Sequence, residues 1–252
     1  MTVDDLASHF GVTPQTIRRD LSDLCDAGAL TRVHGGAVPA SGVANLGYET
    51  RRDIASAEKD AIGQLCASEI PDDVSLFINV GTTTEAVARA LSGHRDLLTI
   101  TNNINVANTL MHNPTCRVIV AGGLLRRSDG ALTGEATVDF IQQFKVDYAI
   151  IGTSAIDEDG SLLDFDYHEV RTAQAIIRNA RNVYLVADNT KFARSAPMRI
   201  ARIDAIDAFF TDRPPPEQFI ACCKVAGVSI AIAKSGSSDP NDPSNDIEKS
   251  TG

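Results

Sequence analysis

The residues best suited to ligand chemistry in this 252-residue chain are small, hydroxyl-bearing or amide-bearing, and follow apolar runs. Gly81, Thr82, Thr83 and Thr84 come directly after the run 74–80 and open a helical pattern. Glycine lets the backbone approach a ligand, hydroxyls donate hydrogen bonds, and a helix N-terminus attracts an anion. The stretch therefore predicts a phosphate site, although the three threonines alone also fit an ordinary N-cap.

Similar groups follow other apolar runs. They are Asn102, Asn103, Gly122, Gly123, Thr153, Ser154 and Lys191, of which Lys191 offers a positive charge. Ligands of open parallel sheets bind beyond the carboxyl ends of the strands, so we expect these residues to share one sheet edge. Each alone also fits a turn or a surface position. Their shared position predicts one pocket for a small, phosphorylated, hydroxyl-bearing compound.

The elements that must position this pocket alternate in type. Strand-like apolar runs cover residues 74–80, 97–101, 116–121, 146–152, 182–188, 205–211 and 228–233. Amphipathic helical patterns cover residues 84–91, 104–111, 137–144, 168–180 and 216–225. The alternation predicts an α/β fold at 58–233, with a mostly parallel sheet covered by helices on both faces.

A second set of polar residues lies on a helix predicted between the N-cap Thr13 and the C-cap Gly28. Ile17, Leu21 and Leu24 share one face of it, which predicts a buried stripe. A shorter helical pattern precedes it, across a glycine turn. Two such helices predict a helix-turn-helix, in which the outward polar residues contact DNA, although an ordinary helical hairpin has the same pattern.

The residues that follow favour the DNA-binding interpretation. Residues 30–37 indicate a strand, a Gly35-Gly36 turn and a second strand, which is the wing of a winged helix-turn-helix. We place this truncated domain at 1–37. Its candidate DNA-contacting residues are Thr13, Gln15, Thr16, Arg18, Arg19, Arg32, His34, Gly35 and Gly36.

Several stretches between residue 1 and about residue 233 resemble one family. They are PQTIRRDLSDLCDAGALTRVHGGA, NVGTTTEAVARAL, TNNINVANTLM, AGGLLR, GEATVDFIQQF, LLDFDYHEVRT and TDRPPP. Together they resemble the DeoR family of bacterial sugar-metabolism repressors. The resemblance implies a sensor domain similar to ribose-5-phosphate isomerase and glucosamine-6-phosphate deaminase, with residues 81–84 on the phosphate and Lys191 neutralising it.

The same resemblance implies a function. It implies a homodimeric or homotetrameric repressor of glycerol-utilisation genes, released from operator DNA by a phosphorylated polyol or sugar, with glycerol 3-phosphate favoured. The polar cluster of the LLDFDYHEVRT stretch closes over the ligand or lies at a subunit contact, and Arg126 and Arg127 bind phosphate or are merely solvated. The sequence leaves both alternatives open.

One departure from the family pattern concerns the N-terminus. The resemblance implies a further helix before residue 1, so the first helix is missing from the sequence as given. Leu6, Val12, Ile17 and Leu21 then lack a packing partner, and exposed apolar area costs about 25 cal/mol per Å². We predict that residues 1–37 as given bind operator DNA poorly. Equal affinity of a chain extended upstream would contradict this.

The connecting and terminal segments carry weaker patterns. Residues 38–57 show no persistent helical or alternating pattern and predict a linker. The charged cluster Arg51, Arg52 and Asp53 within it fits a solvated surface. Residues 234–252 hold one apolar residue among Gly, Ser, Pro, Asn and Asp, which predicts a disordered tail.

Composition sets further limits. The net charge is −10, and residues 1–37 hold fewer arginines than aspartates, so loose non-specific DNA binding is disfavoured and salt-sensitive, dimer-dependent binding is expected. The five cysteines are scattered, which favours reduced thiols over disulfides or a zinc site. We predict a cytoplasmic protein without metal, cofactor or membrane span.

Two alternatives remain for the function. The first is a sugar-phosphate isomerase or deaminase with an N-terminal appendage, which needs a general base. Its candidate acid–base residues, none within a recognisable catalytic motif, are Glu135, Asp147, Asp157, Asp166 and His168. The second is a polyol-kinase partner protein that does not bind DNA. A helix-turn-helix has no use in an isomerase, so we expect no catalytic residues.

Overall fold

The computed structural model describes residues 3–26, 30–33, 36–39 and 47–233. Three sequence predictions lie outside the described residues, namely the turn residues His34 and Gly35, the C-cap Gly28 and the tail at 234–252. The described chain contains two short N-terminal helices with a two-stranded wing, and a larger α/β part.

Helices α1, Val3–Phe10, and α2, Pro14–Asp26, lie where the sequence predicts them. Thr13 caps α2, because its Oγ1 accepts a hydrogen bond from the amide three residues later at 3.2 Å. Ile17 is 6% exposed, which confirms the predicted buried stripe. The expectation that Ile17 lacks a packing partner is wrong, because α1 packs against α2. Leu24 is instead 43% exposed, because it lies two turns beyond Ile17 on a helix longer than α1.

The wing follows α2. Strands β1, Leu30–Val33, and β2, Gly36–Pro39, pair antiparallel, with Val33 opposite Gly36. The two predicted strands of the wing are confirmed. Gly36 was predicted in the turn, but it is the first residue of β2, since a tight hairpin needs only two residues between its strands.

A helix that the sequence does not indicate comes next. Helix α3, Tyr48–Asp53, lies within 38–57, where no helical pattern is visible. It has six residues, too few to be stable alone, so tertiary contacts must hold it. Ala55, at a left-handed φ of 52°, separates α3 from helix α4, Ser56–Ser68.

The remaining elements alternate along the chain. In order they are β3 (Ser75–Ile78), α5 (Thr82–Ala90), β4 (Leu98–Thr101), α6 (Ile104–Leu110), β5 (Arg117–Val120), β6 (Leu124–Arg126), β7 (Ala131–Thr133), α7 (Glu135–Ile141), β8 (Val146–Ile151), β9 (Ala155–Ile156), β10 (Ser161–Asp164), α8 (Tyr167–Arg178), β11 (Ala180–Val186), β12 (Met198–Arg202), β13 (Ala208–Thr211), α9 (Glu217–Ala226) and β14 (Ser229–Ile232). Short 3-10 helices lie at Leu91–Gly93, Asn189–Ala193 and Ile203–Ala205.

The main sheet has the strand order β14-β13-β11-β8-β3-β4-β5, and every neighbouring pair is parallel. All seven strand-like runs of the sequence belong to it, so the predicted parallel sheet is confirmed. The strand order reverses between β3 and β8. Open parallel sheets bind ligands beyond the carboxyl ends of their strands at such a reversal.

Both faces of the sheet are covered, as predicted. Phe77 packs in the core on the side of α7, α8 and α9. Its neighbours Leu76 and Ile78 pack on the other side, with α4, α5 and α6. The period of two along β3 thus divides the apolar core into two layers.

Two small antiparallel sheets were not predicted. Strands β6 and β7 form a hairpin, and β9, β10 and β12 form a three-stranded sheet. These strands are two to five residues long, too short for alternation to show in the sequence. They carry Arg126 and Asp164 toward the carboxyl edge of the main sheet.

Candidate functional site

The loop after β3 is fixed by its own hydrogen bonds. Thr84 Oγ1 donates to the carbonyl oxygens of Asn79 at 2.7 Å and Gly81 at 2.8 Å. Gly81 has φ 151° and ψ 148°, a conformation that favours glycine. The hydroxyl of Thr84 therefore closes the loop. The first amide groups of α5 have no acceptor within the helix and point out of its N-terminus.

A small pocket lies at the reversal of strand order. Its walls come from the loop after β3, the loop after β8, the end of β10 and helix α3. The lining residues that the argument uses are Arg51, Gly81, Thr82, Thr83, Thr84, Ser154, Asp164 and Glu169. We call this the β3–β8 pocket. Of the residues predicted to share one pocket, it brings together Gly81, Thr82, Thr83, Thr84, Thr153 and Ser154.

The asparagines after β4 serve internal contacts. Asn103 Oδ1 accepts from the amide of Asn105 at 2.8 Å and caps α6, while its Nδ2 donates to Glu85 at 3.0 Å. Asn102 Nδ2 donates to the carbonyl of Leu132 at 3.1 Å. Both side chains are buried, and neither lines the β3–β8 pocket.

The glycines after β5 also have a packing role. Gly122 accepts a hydrogen bond from Thr137 Oγ1 at 2.7 Å. Gly123 has φ 147°, and a Cβ there would lie 2.1 Å from Thr137 Oγ1 and 2.7 Å from the Thr133 carbonyl. Glycine is therefore required for the close approach of this turn to β7, and neither glycine lines the β3–β8 pocket.

Four cationic side chains lie close enough together for their charges to interact. They are Arg51, Lys59, Lys191 and Arg194, which we call the cationic cluster. Lys59 and Lys191 are 2% and 8% exposed. Burial lowers the pKa of Lys59, and burial lowers the pKa of Lys191 to about 8. Lys191, predicted as an effector-binding residue, is thus buried rather than at the surface. Of the cationic cluster, Arg51 lines the β3–β8 pocket, and Lys59, Lys191 and Arg194 are not among its lining residues.

Carboxylates also lie beside this cluster. Lys191 Nζ lies 3.9 Å from Asp188 Oδ2, which is buried, and Arg51 pairs with Asp129 at 3.5 Å. Asp164 also faces the pocket, but burial raises its pKa and so disfavours its charged form. An anion bound beside the first turn of α5 would interact favourably with the nearby cations.

A carboxylate network borders the pocket on the side of the β6–β7 hairpin. Arg126 pairs with Asp129 at 2.5 Å, with Asp166 at 3.1 Å and with Glu169. Burial and the nearby Asp164 raise the pKa of Glu169 to about 7. Arg126 is thus neutralised by protein carboxylates, whereas Arg127 is exposed, which matches the solvated alternative for that residue.

Helix α3 forms the remaining wall. The main-chain carbonyl of Arg51 accepts hydrogen bonds from Lys59 Nζ and, at 3.4 Å, from Thr82 Oγ1. Tyr48 donates from its hydroxyl to Glu85 on α5 at 2.8 Å. The Arg51 side chain is 15% exposed and lies 3.5 Å from Asp129, so the expected solvated cluster at 51–53 is wrong for Arg51.

The candidate DNA-contacting surface lies on α2. Gln15, Thr16, Arg18 and Arg19 are all exposed. Thr13 and Thr16 also contact each other through their hydroxyls at 2.9 Å. The position of Arg32 on β1 agrees with the predicted wing, and its side chain lies outside the described atoms.

Two family models match the chain. The model of a DeoR-like helix-turn-helix domain matches residues 1–42, and the model of the DeoR C terminal sensor domain matches residues 54–213. The chain belongs to the DeoR family. It is a DeoR-type transcriptional repressor, with a helix-turn-helix that binds DNA and a sensor domain that indicates a small-molecule effector.

Named relatives agree with this assignment. The chain is 50% identical over 216 residues to the glycerol-3-phosphate regulon repressor of Escherichia coli K12, covering 86% of each chain. It is 46% identical to the repressor of that name from Haemophilus influenzae, over 85% of this chain and 84% of the relative. It is 42% identical to the transcriptional repressor CsqR of Escherichia coli K12, over 86% of this chain and 83% of the relative.

Solved structures give weaker likenesses. Ribose 5-phosphate isomerase A from Neisseria gonorrhoeae matches with a TM-score of 0.40 and 10% identity, over 56% of this chain and 54% of that chain. The eIF2B beta subunit from Chaetomium thermophilum matches with a TM-score of 0.48 and 16% identity, over 68% and 54%. These values are too low to support an assignment. The matches span about half of each solved chain.

The DeoR assignment removes the enzyme alternative, because the close relatives are named repressors and not enzymes. The candidate acid–base residues have other contacts in this DeoR sensor domain. Asp147 bonds the hydroxyl of Ser75 at 2.6 Å near the start of β8, and Asp166 caps α8 through the amide of His168 at 2.7 Å. Across the described residues, no helix is long and apolar enough to span a membrane.

Sequence reasoning missed part of the DeoR site. Lys59 had a visible signal, because it lies three residues before Ile62 and seven before Cys66, on the buried stripe of α4. A lysine on an apolar stripe needs a partner or a function. Arg51 and Arg194 gave no comparable signal, since each joins the cationic cluster only through the tertiary fold.

Proposed function

We propose that a small phosphorylated polyol, glycerol 3-phosphate above all, binds in the β3–β8 pocket and releases this DeoR-family repressor from operator DNA. The phosphate would lie against the first turn of α5, whose amide groups and helix dipole favour an anion. Thr83 and the main chain at Gly81 lie in the pocket wall at this turn.

The observation that carries the proposal is the cationic cluster. Lys59 and Lys191 are buried beside Arg51 and Arg194, and burial of like charges is unfavourable unless an anion joins them. A phosphate dianion supplies that charge. We therefore infer that the effector is an anion, and Lys191 is a principal phosphate-binding residue.

The choice of a polyol rests on two further supports. Asp164 and Glu169 line the pocket opposite the threonines and offer oxygen acceptors for hydroxyl groups. Two of the similar relatives are named glycerol-3-phosphate regulon repressors. Asn102, Asn103, Gly122 and Gly123 contribute by fixing the neighbouring loops rather than by touching this ligand.

The proposal extends to the whole chain. The winged helix-turn-helix at 1–37 reads DNA, 38–57 connects it to the sensor domain at 58–233, and two or four copies place paired α2 helices in successive major grooves. The repressor acts in the cytoplasm on genes of glycerol metabolism. Release requires the effector to bind the DNA-free arrangement more tightly than the DNA-bound one.

A thermal-shift screen followed by calorimetry tests the effector. Glycerol 3-phosphate, ribose 5-phosphate, glucosamine 6-phosphate, inorganic phosphate and glycerol are compared in phosphate-free buffer. We expect glycerol 3-phosphate to raise the melting temperature most, because a ligand that binds only the folded state stabilises it by RT ln(1 + [L]/Kd). Glycerol gives no shift, since it lacks the anion.

Release is tested with DNA that the protein selects from a random pool. Glycerol 3-phosphate should dissociate that DNA at the concentrations that saturate calorimetric binding. Binding of glycerol as strong as that of glycerol 3-phosphate would contradict the anion site. Turnover of ribose 5-phosphate or glucosamine 6-phosphate above background would favour the isomerase or deaminase alternative.

A further inference from the structure

Helix α3 covers the β3–β8 pocket and belongs to the segment between the DNA-binding domain and the sensor domain. The space within this pocket is about 30 Å³, which holds about two water molecules, and a second cavity of about 310 Å³ that shares Arg51 and Glu169 as lining residues lies beside it. A phosphate group is larger than the first space. A phosphate that contacts the first turn of α5 therefore requires one wall of the β3–β8 pocket to move.

The walls differ in how firmly they are held. The loops after β3 and β8 continue strands at the centre of a seven-stranded sheet. Helix α3 has no buried residue of its own. Among the described residues, its contacts with the sensor domain include hydrogen bonds from Lys59 and Thr82 to the Arg51 carbonyl, and the bond from Tyr48 to Glu85. The Arg51 side chain also pairs with Asp129 at 3.5 Å. Helix α3 is thus the wall that can leave.

The groups that hold this helix are also hydrogen-bond donors that can bind an anion. Lys59 Nζ donates to the carbonyls of Arg51 and, at 2.6 Å, Ile54. Thr82 Oγ1 lies at the first turn of α5, where the proposed phosphate binds. A doubly charged phosphate is a stronger acceptor for an ammonium group than a neutral carbonyl is.

We propose that the anionic group of the effector takes Lys59 Nζ and Thr82 Oγ1 from the Arg51 carbonyl and thereby releases helix α3 from the sensor domain. This inference rests on the proposed function and deepens it, because it makes Lys59 an effector-binding residue and α3 the coupling element. The docked helix excludes the ligand, so the docked state is the DNA-binding state and the released state is the effector-bound one.

The linkage has a measurable consequence. If docking of α3 and ligand binding exclude each other, any change that weakens docking raises the apparent affinity for the ligand by the same factor. Tyr48 anchors the N-terminal part of α3 through Glu85 and also accepts from Asn105 Nδ2 at 3.1 Å. Tyr48 lines the neighbouring cavity and not the β3–β8 pocket, so removal of its hydroxyl weakens docking and leaves the phosphate contacts at α5 intact.

The first test uses Tyr48→Phe, with Tyr148→Phe as a matched control. Tyr148 lies on β8 and packs against Tyr184 away from the pocket. We expect Tyr48→Phe to bind glycerol 3-phosphate about three- to tenfold more tightly than the wild type, and to need correspondingly less of it for half release from selected DNA. Tyr148→Phe should match the wild type in both. Equal affinities for the two variants would overturn the coupling.

The second test needs no variant. Hydrogen exchange of the peptide spanning 47–55 is followed in the full chain, with and without glycerol 3-phosphate. The amides of Arg51 and Ile54 are bonded within α3 to the carbonyls of Gly47 and Thr50, so we expect their exchange to become faster when the ligand binds. Slower or unchanged exchange in a chain that calorimetry shows to be saturated would refute release of α3.

The two proposals fail in different ways. A chain that binds none of the tested phosphates disproves the effector site and, with it, the coupling. A chain that binds glycerol 3-phosphate while 47–55 keeps its protection retains the proposed function and loses only the coupling. Lys59→Met separates the two further, since it should abolish phosphate binding and at the same time accelerate exchange of α3 in the unliganded protein.

Discussion

Lys191→Met is the sharpest perturbation of the proposed site. The substitution keeps the length of the aliphatic chain and removes one charge of the cationic cluster. A hydrogen bond from a charged donor contributes about 1.5–3 kcal/mol, so we expect glycerol 3-phosphate to bind about 10- to 150-fold more weakly. Binding to selected DNA without effector should not change, because Lys191 lies in the sensor domain.

The pKa of Lys191 adds a pH dependence to this prediction. Burial lowers that pKa from 10.5 to about 8, which corresponds to about 3 kcal/mol against the charged form. Above about pH 8 the unliganded protein therefore holds Lys191 neutral. A bound phosphate restores the charge, so binding takes up one proton, and the Kd of the wild type should rise about tenfold per pH unit beyond that point.

The stability of the unliganded protein depends on pH in the opposite direction from ligand affinity. Between about pH 8 and 10.5 the unfolded chain holds a proton on Lys191 that the folded chain has lost. The free energy of unfolding therefore rises with pH across this window. Lys191→Met should remove that rise, which separates the effect of Lys191 from those of other titrating groups.

Calorimetry measures both quantities. Glycerol 3-phosphate is titrated from about pH 7 to pH 9.5 in buffers of different ionisation enthalpy, which reports the protons taken up. Lys224→Met serves as the control, because Lys224 is an exposed lysine on α9. A Kd that stays constant over this range, or wild-type affinity in Lys191→Met, would refute the reasoning.

Three further predictions concern stability. Thr13→Ala removes the cap of α2 and should destabilise the N-terminal domain by about 1 kcal/mol in thermal unfolding, whereas Thr13→Ser keeps the acceptor and should not. Gly63→Ala would place a Cβ 2.7 Å from the carbonyl carbon of Ala86 and should cost about 1–3 kcal/mol in urea unfolding; Gly93→Ala, with no atom within 4 Å, should cost less. Because burial raises the pKa of Glu169 to about 7, wild-type stability should fall by up to about 3 kcal/mol as pH rises from 4.5 to 7; Glu169→Gln should abolish that slope, and an identical slope would contradict the assignment.

The regular part of the fold was predictable from the sequence. All seven strands of the parallel sheet appear as apolar runs, and helices α5 to α9 appear as periodic patterns. The two small antiparallel sheets beside the parallel sheet left no such pattern. Hydrophobic periodicity in the sequence reveals these elements because each buries one or two whole faces. Helix α3 and strand β9 bury too little, over six and two residues, to leave a periodic signal.

The site was predictable only in part. Residues 81–84, which line the pocket, were predicted because a glycine followed by hydroxyl-bearing residues at a strand end is a local pattern. Asn103 and Gly123 also follow strands, but for structural reasons, as a helix cap and a tight packing contact. Arg51 reaches the pocket through the docking of α3 on α4 and α5, which no local pattern encodes.

The cationic cluster also affects what the repressor measures in a cell. On the proposed function, inorganic phosphate competes with the effector for the same donors. The effector concentration that gives half release then increases by one plus the ratio of free phosphate to its own Kd. The switching threshold would follow the ratio of esterified to free phosphate, so that phosphate starvation by itself sensitises the regulated genes to a given dose of effector.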